Sequence, residues 1–401
     1  MKYDLVFEGG GAKGMAFVGA LREFEAQGHT YGRLLGTSAG AITATLLAAG
    51  FDAAEMLAAL NEKEAGQPVF ASFMGAPREL DAEVLQQSAT RALLRQLDLP
   101  LLPAFIEERV DDRIVKMLNS QPRLRHIFSF IEYGGWFSAQ NFLTWLKVKL
   151  NSGLYRGAPR RFGGLSLAEF YQVTHVELSL VASDTAAHRL LVLNHRTAPD
   201  CPVLWAVRMS MNIPFLWQEV LWQAEWGQYR DQDISGHSVV DGGMLSNFPV
   251  ELFVSELPVI TAIMGPKTNG KLLGFLIDET LPVAGAVVVT KQTVKQFSAG
   301  SLHTIQRIEQ LLDTMMQAHD KLVMEAFEEF VVRLPAQGYG TTEFDMSAER
   351  KNLLVTAGEQ QMRQYNAQQR TADERVSFSL AGVGTAAVRV WADKIAQRLL
   401  R

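Results

Sequence analysis

Two glycine-rich turns near the N-terminus constrain the fold more than any other stretch of this chain. Each follows a short apolar segment and precedes small and apolar residues at helical spacing, so each predicts a strand, a turn and a helix. The two turns are Gly9-Gly10-Gly11-Ala12-Lys13-Gly14 and Gly36-Thr37-Ser38-Ala39-Gly40. Successive strand–turn–helix units are typical of a parallel sheet covered by helices. We therefore predict an α/β protein: a three-layer α/β/α arrangement with a mainly parallel central sheet, elaborated by extra helices.

The second turn carries a serine in the pattern Gly-x-Ser-x-Gly. At a strand-to-helix turn this pattern holds the serine hydroxyl out on a sharp bend, and Gly36 and Gly40 remove the Cβ atoms that would clash there. In the first turn, consecutive glycines leave backbone N–H groups free at the start of a helix, where negative charge is stabilised. Ser38 is thus a candidate nucleophile, and the loop of residues 9–11 is a candidate site for the oxyanion that its attack creates.

A third motif, Asp241-Gly242-Gly243, supplies a candidate base. It follows the apolar Val239 and Val240, so Asp241 is predicted to end a strand. Neighbouring parallel strands bring their carboxyl ends to one edge of a sheet, which is how Asp241 would reach Ser38. A carboxylate is a weak base in water, with a pKa of about 3.9, and burial in an apolar pocket would raise that pKa toward neutral.

Composition and charge exclude several classes of function. The formal net charge of −5 gives no basic field for nucleic acid. The single Cys201 cannot form a disulfide within the chain and suits a reducing compartment. Apolar runs such as residues 284–290 are far shorter than a membrane span, and the first strand begins by Tyr3, which leaves no room for a signal peptide. We expect a cytoplasmic protein whose membrane contact is peripheral; delivery into another cell as an effector stays open.

The three motifs, in this order, resemble those of the patatin-like phospholipase family. The resemblance extends to residues 210–214 and to Asn247 and Pro249, and it covers roughly residues 4–255. It implies a lipid acyl hydrolase of the phospholipase A type, which cleaves fatty-acyl esters of membrane lipids through an acyl-enzyme. It also implies a Ser–Asp dyad that has no histidine.

The resemblance assigns a role to each residue of the motifs. Ser38 is the nucleophile, Asp241 is the base, and the N–H groups of Gly10, Gly11 and Ala12 form the oxyanion hole. The glycines that support these motifs are Gly9, Gly14, Gly36, Gly40, Gly242 and Gly243. No metal and no organic cofactor is implied. The expected partner is a membrane phospholipid or another acyl lipid, and not nucleic acid. The headgroup, the oligomeric state and the need for a protein activator stay open.

The rest of the chain is predicted mainly from helical patterns. Residues 51–160 form either a helical, cap-like insertion beside the site or additional core. Residues 256–401 are expected to form a mainly helical C-terminal extension, packed on the same core as the catalytic domain of residues 4–255. Within the extension, residues 259–264 and 330–334 are predicted as strands and residues 301–330 as a long helix.

Three other functions fit parts of the sequence. Gly9-x-Gly11-x-x-Gly14 matches a dinucleotide-binding fingerprint, but no acidic residue ends a second strand about 20 residues further on. A Ser-His-Asp α/β-hydrolase would use His303 or His319 as its base, but several strands normally precede the serine in that fold. A non-catalytic lipid-binding module would not need both Ser38 and Asp241.

Aromatic and basic residues suggest a place for membrane contact. Trp and Phe residues around 128–145 and 215–226 either form an interfacial rim or pack in the core. Two basic groups either meet anionic headgroups or form solvated faces: Arg123, Arg125 and His126, and Arg156, Arg160 and Arg161. Lys13 either steers a phosphate or is a solvated loop residue.

Overall fold

A computed structural model of the protein describes most of the chain. The described residues are 1–64, 66–77, 82–89, 92, 119–267, 271–286, 327–376 and 384–400. Residues 93–118 of the predicted insertion, residues 301–326 of the predicted long helix, and both His303 and His319 lie outside them.

The strands of the described residues range in length from two to twelve residues. In order they are β1 Lys2–Phe7, β2 Thr30–Thr37, β3 Lys63–Glu64, β4 Gln67–Pro68, β5 Gly135–Phe137, β6 Leu154–Tyr155, β7 Ala158–Pro159, β8 Leu178–Asp184, β9 Arg189–Leu193, β10 Phe215–Trp217, β11 Val220–Leu221, β12 Ser238–Asp241, β13 Lys271–Pro282 and β14 Val331–Gln337.

The described helices cover both faces of the sheet and fill the region between the second and eighth strands. They are α1 Met15–Ala26, α2 Ala39–Ala48, α3 Ala53–Leu60, α4 Val69–Ser72, α5 Ala82–Gln87, α6 Pro122–Glu132, α7 Gln140–Leu150, α8 Leu167–Thr174, α9 Val203–Ser210, α10 Glu251–Val254, α11 Pro258–Met264, α12 Ala348–Val376 and α13 Gly384–Leu399. Short 3₁₀ helices span Gly11–Gly14, Ala224–Trp226, Gly242–Met244 and Glu328–Phe330.

Eight strands form the central sheet. Hydrogen bonding connects β11, β12, β8, β2, β1, β13 and β14 in that order, and β9 also pairs with β8. The pairs β2–β8, β1–β2, β1–β13 and β13–β14 are all parallel, whereas β9, β11 and β12 join by antiparallel pairing. The prediction of a mainly parallel central sheet is confirmed.

Alternation along the strands creates two apolar layers, one on each face. On β1, Leu5 and Phe7 belong to the larger core, which includes α1, α2, α3 and α9, whereas Val6 belongs to the smaller core on the opposite face. The smaller core includes residues of α10, α11 and α13. Buried residues on both faces are expected for a mostly parallel sheet, and they complete the three-layer arrangement.

The C-terminal third joins the same sheet through β13 and β14. The predicted strand of residues 330–334 falls largely in β14, whereas β13 was not predicted. Residues 259–264, predicted as a strand, lie in helix α11, which begins at Pro258. Proline is favoured in the first turn of a helix, and it outweighs the β-branched residues that follow. The strand lies further on: β13 of twelve residues pairs along its first half with β1, and β14 pairs with β13.

Candidate active site

Ser38 lies in a strained turn between β2 and α2. Its φ is +52° and its ψ is −118°, values that a residue with a side chain rarely adopts. A Cβ on Gly40 would lie 2.3 Å from the carbonyl oxygen of Phe7, so only glycine permits this close approach of the two turns. The hydroxyl of Ser210 accepts the Ser38 N–H at 3.0 Å and donates to the carbonyl of Val181 at 2.6 Å. The Ser210 hydroxyl therefore connects the turn of Ser38 to strand β8.

Strand β8 brings Asp241 to the level of Ser38. Thr37, the last residue of β2, pairs with Val181, and Asp241 pairs with Ala182, the next residue of β8. Because β9 occupies the opposite edge of β8, β2 and β12 lie one after the other along the same edge. Their carboxyl ends therefore point toward each other. The expectation that parallel neighbours would bring Asp241 to the serine was wrong, since β12 is antiparallel to β8.

Asp241 is a buried carboxylate with incomplete hydrogen bonding. Its Oδ1 accepts the N–H of Gly243 at 2.8 Å, and its own N–H donates to the carbonyl of Asn212 at 2.9 Å. Its Oδ2 is buried and has no hydrogen-bond partner among the described residues. Burial raises the pKa of Asp241 from 3.8 to about 7, while hydrogen bonding from the Ser38 side chain and the Gly243 N–H favours the charged form and limits the rise.

The contact between Ser38 and Asp241 is looser than an ordinary hydrogen bond. The Ser38 side chain is near enough to lower the pKa of Asp241, yet within the described ranges Oδ2 has no partner at normal hydrogen-bond geometry. Long or poorly aligned catalytic hydrogen bonds are common in sites that hold no substrate. A pKa near 7 leaves about half of the carboxylate ionised at neutral pH, which suits a general base.

Two backbone N–H groups of the glycine loop after β1 are already bonded, and two have no acceptor among the described residues. Gly9 donates its N–H to the carbonyl of Asn247 at 3.1 Å, and Ala12 donates its N–H to the carbonyl of Thr341 at 2.9 Å. The N–H groups of Gly10 and Gly11 have no acceptor within the described parts of the chain. Of the three predicted oxyanion donors, Ala12 is thus occupied, and Gly10 and Gly11 remain available.

Hydrogen bonds of the Asn247 and Glu8 side chains hold this loop in place. The Asn247 Nδ2 donates to the carbonyl of Gly9 and to Oε1 of Glu8, both at 3.1 Å, and Glu8 also accepts the N–H of Ile277. Asn247 therefore connects the segment after Asp241 to the glycine loop, and Glu8 connects that loop to β13.

A Cβ at any of five further predicted glycines would lie within 3.0 Å of another atom: Gly9, Gly10, Gly14, Gly36 and Gly242.

Comparison with known proteins identifies the family. Residues 5–254, which contain all three motifs, match the patatin-like phospholipase family. The chain belongs to this family. The uncharacterized protein YqhO of Bacillus subtilis (strain 168) is 26% identical over 373 residues, which are 89% of this chain and 96% of YqhO.

Two solved bacterial structures resemble the chain more distantly. VipD from Legionella pneumophila is 16% identical with a TM-score of 0.41, and the similarity covers 90% of this chain and 66% of VipD. The type III effector ExoU of Pseudomonas aeruginosa is 20% identical with a TM-score of 0.38, and the similarity covers 92% of this chain and 53% of ExoU. The chain thus spans about two thirds of VipD and about half of ExoU.

Residues outside the patatin-like match also reach the site. Gly11 has a φ of +54°, and a Cβ there would lie 2.1 Å from the carbonyl oxygen of Thr341. The segment of residues 338–346 is held by Arg350, which donates to the carbonyl of Gly338 at 2.9 Å and pairs with Glu343 at 2.7 Å. No motif marks this segment, so sequence reasoning missed it.

An apolar cavity opens beside Ser38. Its empty volume is about 750 Å³, including the part open to solvent. One wall is the face of α2 that carries Ala39, Ile42, Thr43 and Leu46. Further walls come from the loops of the site and from packed aromatic rings: Gly11, Ala12, Met211, Ile213, Trp217, Phe344, Phe70, Phe73, Phe142 and Trp145. Such a lining favours an aliphatic ligand.

Other predicted residues have structural roles. Lys13 is buried and paired with Glu279, so it is not a solvated loop residue. Arg160 is also buried; it pairs with Glu55 at 2.8 Å and donates to the carbonyl of Gly50 at 2.7 Å, so it is not available to headgroups. The aromatic residues predicted for a rim are mostly core: Phe128, Phe137, Phe142, Trp145, Trp217, Trp222 and Trp226.

Neither a metal cluster nor a membrane-spanning helix occurs in the described part of the chain. No group of three or more His, Cys, Asp or Glu side chains there has the geometry to hold a metal ion. No helix within the described ranges is both long and apolar enough to cross a bilayer.

Proposed function

We propose that this patatin-like protein hydrolyses fatty-acyl esters of membrane phospholipids, with Ser38 as nucleophile and Asp241 as the only general base. In the first step Asp241 takes the proton of the Ser38 hydroxyl while Oγ attacks the ester carbonyl. The tetrahedral intermediate collapses, the carbon–oxygen bond to the leaving alkoxide breaks, and protonated Asp241 returns its proton to that oxygen. Asp241 then activates a water molecule, which releases the fatty acid from Ser38.

Two free N–H groups support the oxyanion role of the glycine loop. Gly10 and Gly11 lack acceptors in the described residues, and both belong to the loop that contacts the turn of Ser38. Removal of one such donor typically slows acyl transfer by about 10²–10³. We assign no oxyanion contact to Ala12 while its N–H is bonded to Thr341.

The apolar cavity supports an acyl chain as the group transferred. The cavity-lining positions on α2 are spaced from Ala39 to Leu46, a distance of about 10 Å along the helix axis. A wall of this length beside the nucleophile fits a single aliphatic chain whose ester carbon lies at Ser38. The lining has too few polar atoms to hydrogen-bond a sugar or a peptide backbone.

The observation that carries the proposal is the pairing of a strained serine with a buried carboxylate whose pKa is about 7. Structural carboxylates usually have their charge satisfied, whereas one oxygen of Asp241 has no hydrogen-bond partner among the described residues at the turn of Ser38. This arrangement destabilises the folded protein and is explained by a requirement for proton transfer.

The test is lipid profiling of wild-type protein against Ser38→Ala. Vesicles of phosphatidylcholine, phosphatidylethanolamine and phosphatidylglycerol should yield free fatty acid and lysophospholipid with wild type only. Circular dichroism establishes that the variant is folded. Release of diacylglycerol or phosphatidic acid would show cleavage of a phosphate ester instead, and equal fatty-acid release by folded Ser38→Ala would exclude Ser38 as the nucleophile.

A further inference from the structure

Four large apolar side chains stand exposed on one side of the site. Ile127 and Ile131 lie on α6 with 43% and 54% of their surface exposed, and Tyr133, just after this helix, is 38% exposed. Phe215, the first residue of β10, is 47% exposed. We call these four residues the apolar patch. Scattered exposed apolar residues need no explanation, but a contiguous group marks an interaction surface.

The members of the patch are connected through Phe130. Ile127 and Ile131 are four positions apart, so they lie on the same face of α6. The ring of Phe130, between them in sequence, lies 6.0 Å from the ring of Phe215. Strand β5, which follows α6 closely, pairs with β10. The helix and the exposed phenylalanine are therefore parts of one surface.

The backbone at Phe215 is strained, and its side chain is exposed. Its φ is +66°, which is unfavourable for a bulky residue and costs on the order of 1–3 kcal/mol. A polar residue or glycine would suit an exposed position with positive φ better. Strain of this kind persists at functional positions, so the exposure of Phe215 has a purpose beyond packing.

The patch adjoins the acyl cavity. Ile213 and Trp217, two residues before and after Phe215, both line the cavity next to Ser38. The same short segment thus presents one aromatic ring outward and two apolar side chains inward. An acyl chain that moved from the patch into the cavity would pass from one apolar surface to another.

We propose that the apolar patch is the surface by which this protein docks on a zwitterionic phospholipid bilayer, with Phe215 and α6 inserted at the interface. A bilayer is favoured over a protein partner because the surface continues into the cavity that takes the chain. The inference rests on the proposed function in this respect. Helix α6 carries Arg123, Arg125 and Glu132, whose formal charges sum to only +1, so docking depends on apolar insertion more than on anionic lipid.

Vesicle sedimentation tests the proposal directly. The probe is a phosphatidylcholine vesicle, and the variants are Phe215→Ser and the double change Ile127→Ser with Ile131→Ser. Matched controls are Val173→Ser and Val259→Ser, which alter exposed apolar residues elsewhere. About half of each patch side chain is free to enter the bilayer, so Phe215→Ser should weaken binding roughly five-fold and the double change roughly 25-fold, whereas the controls should bind as wild type does.

A labelled cysteine gives a second readout that does not depend on activity. Because Cys201 is buried, a thiol-reactive, polarity-sensitive dye added to Ile131→Cys or to Val259→Cys should react at the new position. Phosphatidylcholine vesicles should increase the emission and shift it to the blue at position 131 only. An equal response at position 259, or none at 131, would overturn the proposal.

The remaining outcomes separate docking from catalysis. Failure of wild type to sediment with vesicles, or equal loss in patch and control variants, overturns the docking surface. Vesicle binding that depends on the patch but releases no fatty acid leaves the docking surface in place and overturns the proposed function. With both correct, the patch variants lose hydrolysis of vesicle lipid by a larger factor than hydrolysis of a soluble short-chain ester.

Discussion

Replacement of Asp241 by asparagine should stabilise the protein while it destroys activity. Asparagine keeps the shape and can still accept the Gly243 N–H, but an amide is not a usable base. General-base assistance is worth about 10²–10⁴ in rate, so hydrolysis of a chromogenic short-chain ester should fall by that factor. In wild type the same rate should fall tenfold per pH unit below about 7, because Asp241 must be ionised to accept the proton.

The stability effect follows from the raised pKa. An aspartate in the unfolded chain ionises near 3.8, whereas Asp241 in the folded protein ionises near 7. Between these values the folded state binds a proton that the unfolded state has released. Wild-type stability therefore decreases as the pH rises through this window and levels off above pH 7. Asparagine does not ionise and carries no such dependence.

The size of the effect can be worked out for two convenient conditions. Between pH 5 and pH 7, two pH units at 1.36 kcal/mol each give about 2.7 kcal/mol. A chain of 401 residues has an unfolding entropy of about 0.8 kcal/mol/K at its midpoint. The difference in Tm between Asp241→Asn and wild type should thus grow by about 3 °C from pH 5 to pH 8.

Differential scanning calorimetry at both pH values provides the measurement. Asparagine leaves amide hydrogens without an acceptor, which costs about 1–3 kcal/mol at every pH. This constant cost cancels when the Tm difference at pH 5 is compared with that at pH 8. A Tm difference that is the same at pH 5 and pH 8 would refute the raised pKa. Normal turnover by a folded Asp241→Asn protein would refute the dyad itself.

Four further outcomes are expected. Gly11→Val should lose at least 10²-fold in kcat with unchanged circular dichroism, because a side chain there meets the Thr341 carbonyl; normal turnover would contradict the oxyanion loop. Ser210→Ala should cost about 1–3 kcal/mol in urea unfolding, since Ser38 and Val181 each lose a buried partner. Trp145→Ala should shift the preference among p-nitrophenyl esters toward longer chains, with about four-fold in kcat/KM per added methylene; an unshifted optimum would place the chain elsewhere. EDTA should leave activity unchanged, and a loss restored by calcium would show a missed metal site.

The sequence predicts the glycine turns because their chemistry is local. A serine between Gly36 and Gly40, after an apolar strand and before a helix, favours a sharp turn, and the structure has φ +52° at Ser38. The direction of β12 is not local. Nothing near Asp241 indicates whether its strand runs parallel or antiparallel to β8, and the sequence reasoning chose wrongly.

The contribution of the last third of the chain was harder to foresee. Strand β13 has two polar, acidic positions, Asp278 and Glu279, after its apolar run, and it carries no turn signature of its own. Thr341 accepts the N–H of the glycine loop through its main-chain carbonyl, which a residue of any type could supply. Contacts made by backbone atoms between segments far apart in sequence leave no pattern of residue types to read.

The position of β1 between β2 and β13 affects how the protein can be made. Tyr3 pairs with Lys271, so β1 receives its second neighbour about 270 residues after it has been synthesised. At about 5–20 residues per second, this delay lasts roughly 13–54 s. During that time one edge of an entirely apolar segment, Leu5 to Phe7, has no partner in the sheet. The yield of soluble protein should therefore depend on what protects the nascent chain. A lower growth temperature or a higher chaperone concentration should raise this yield without changing the stability of the folded protein.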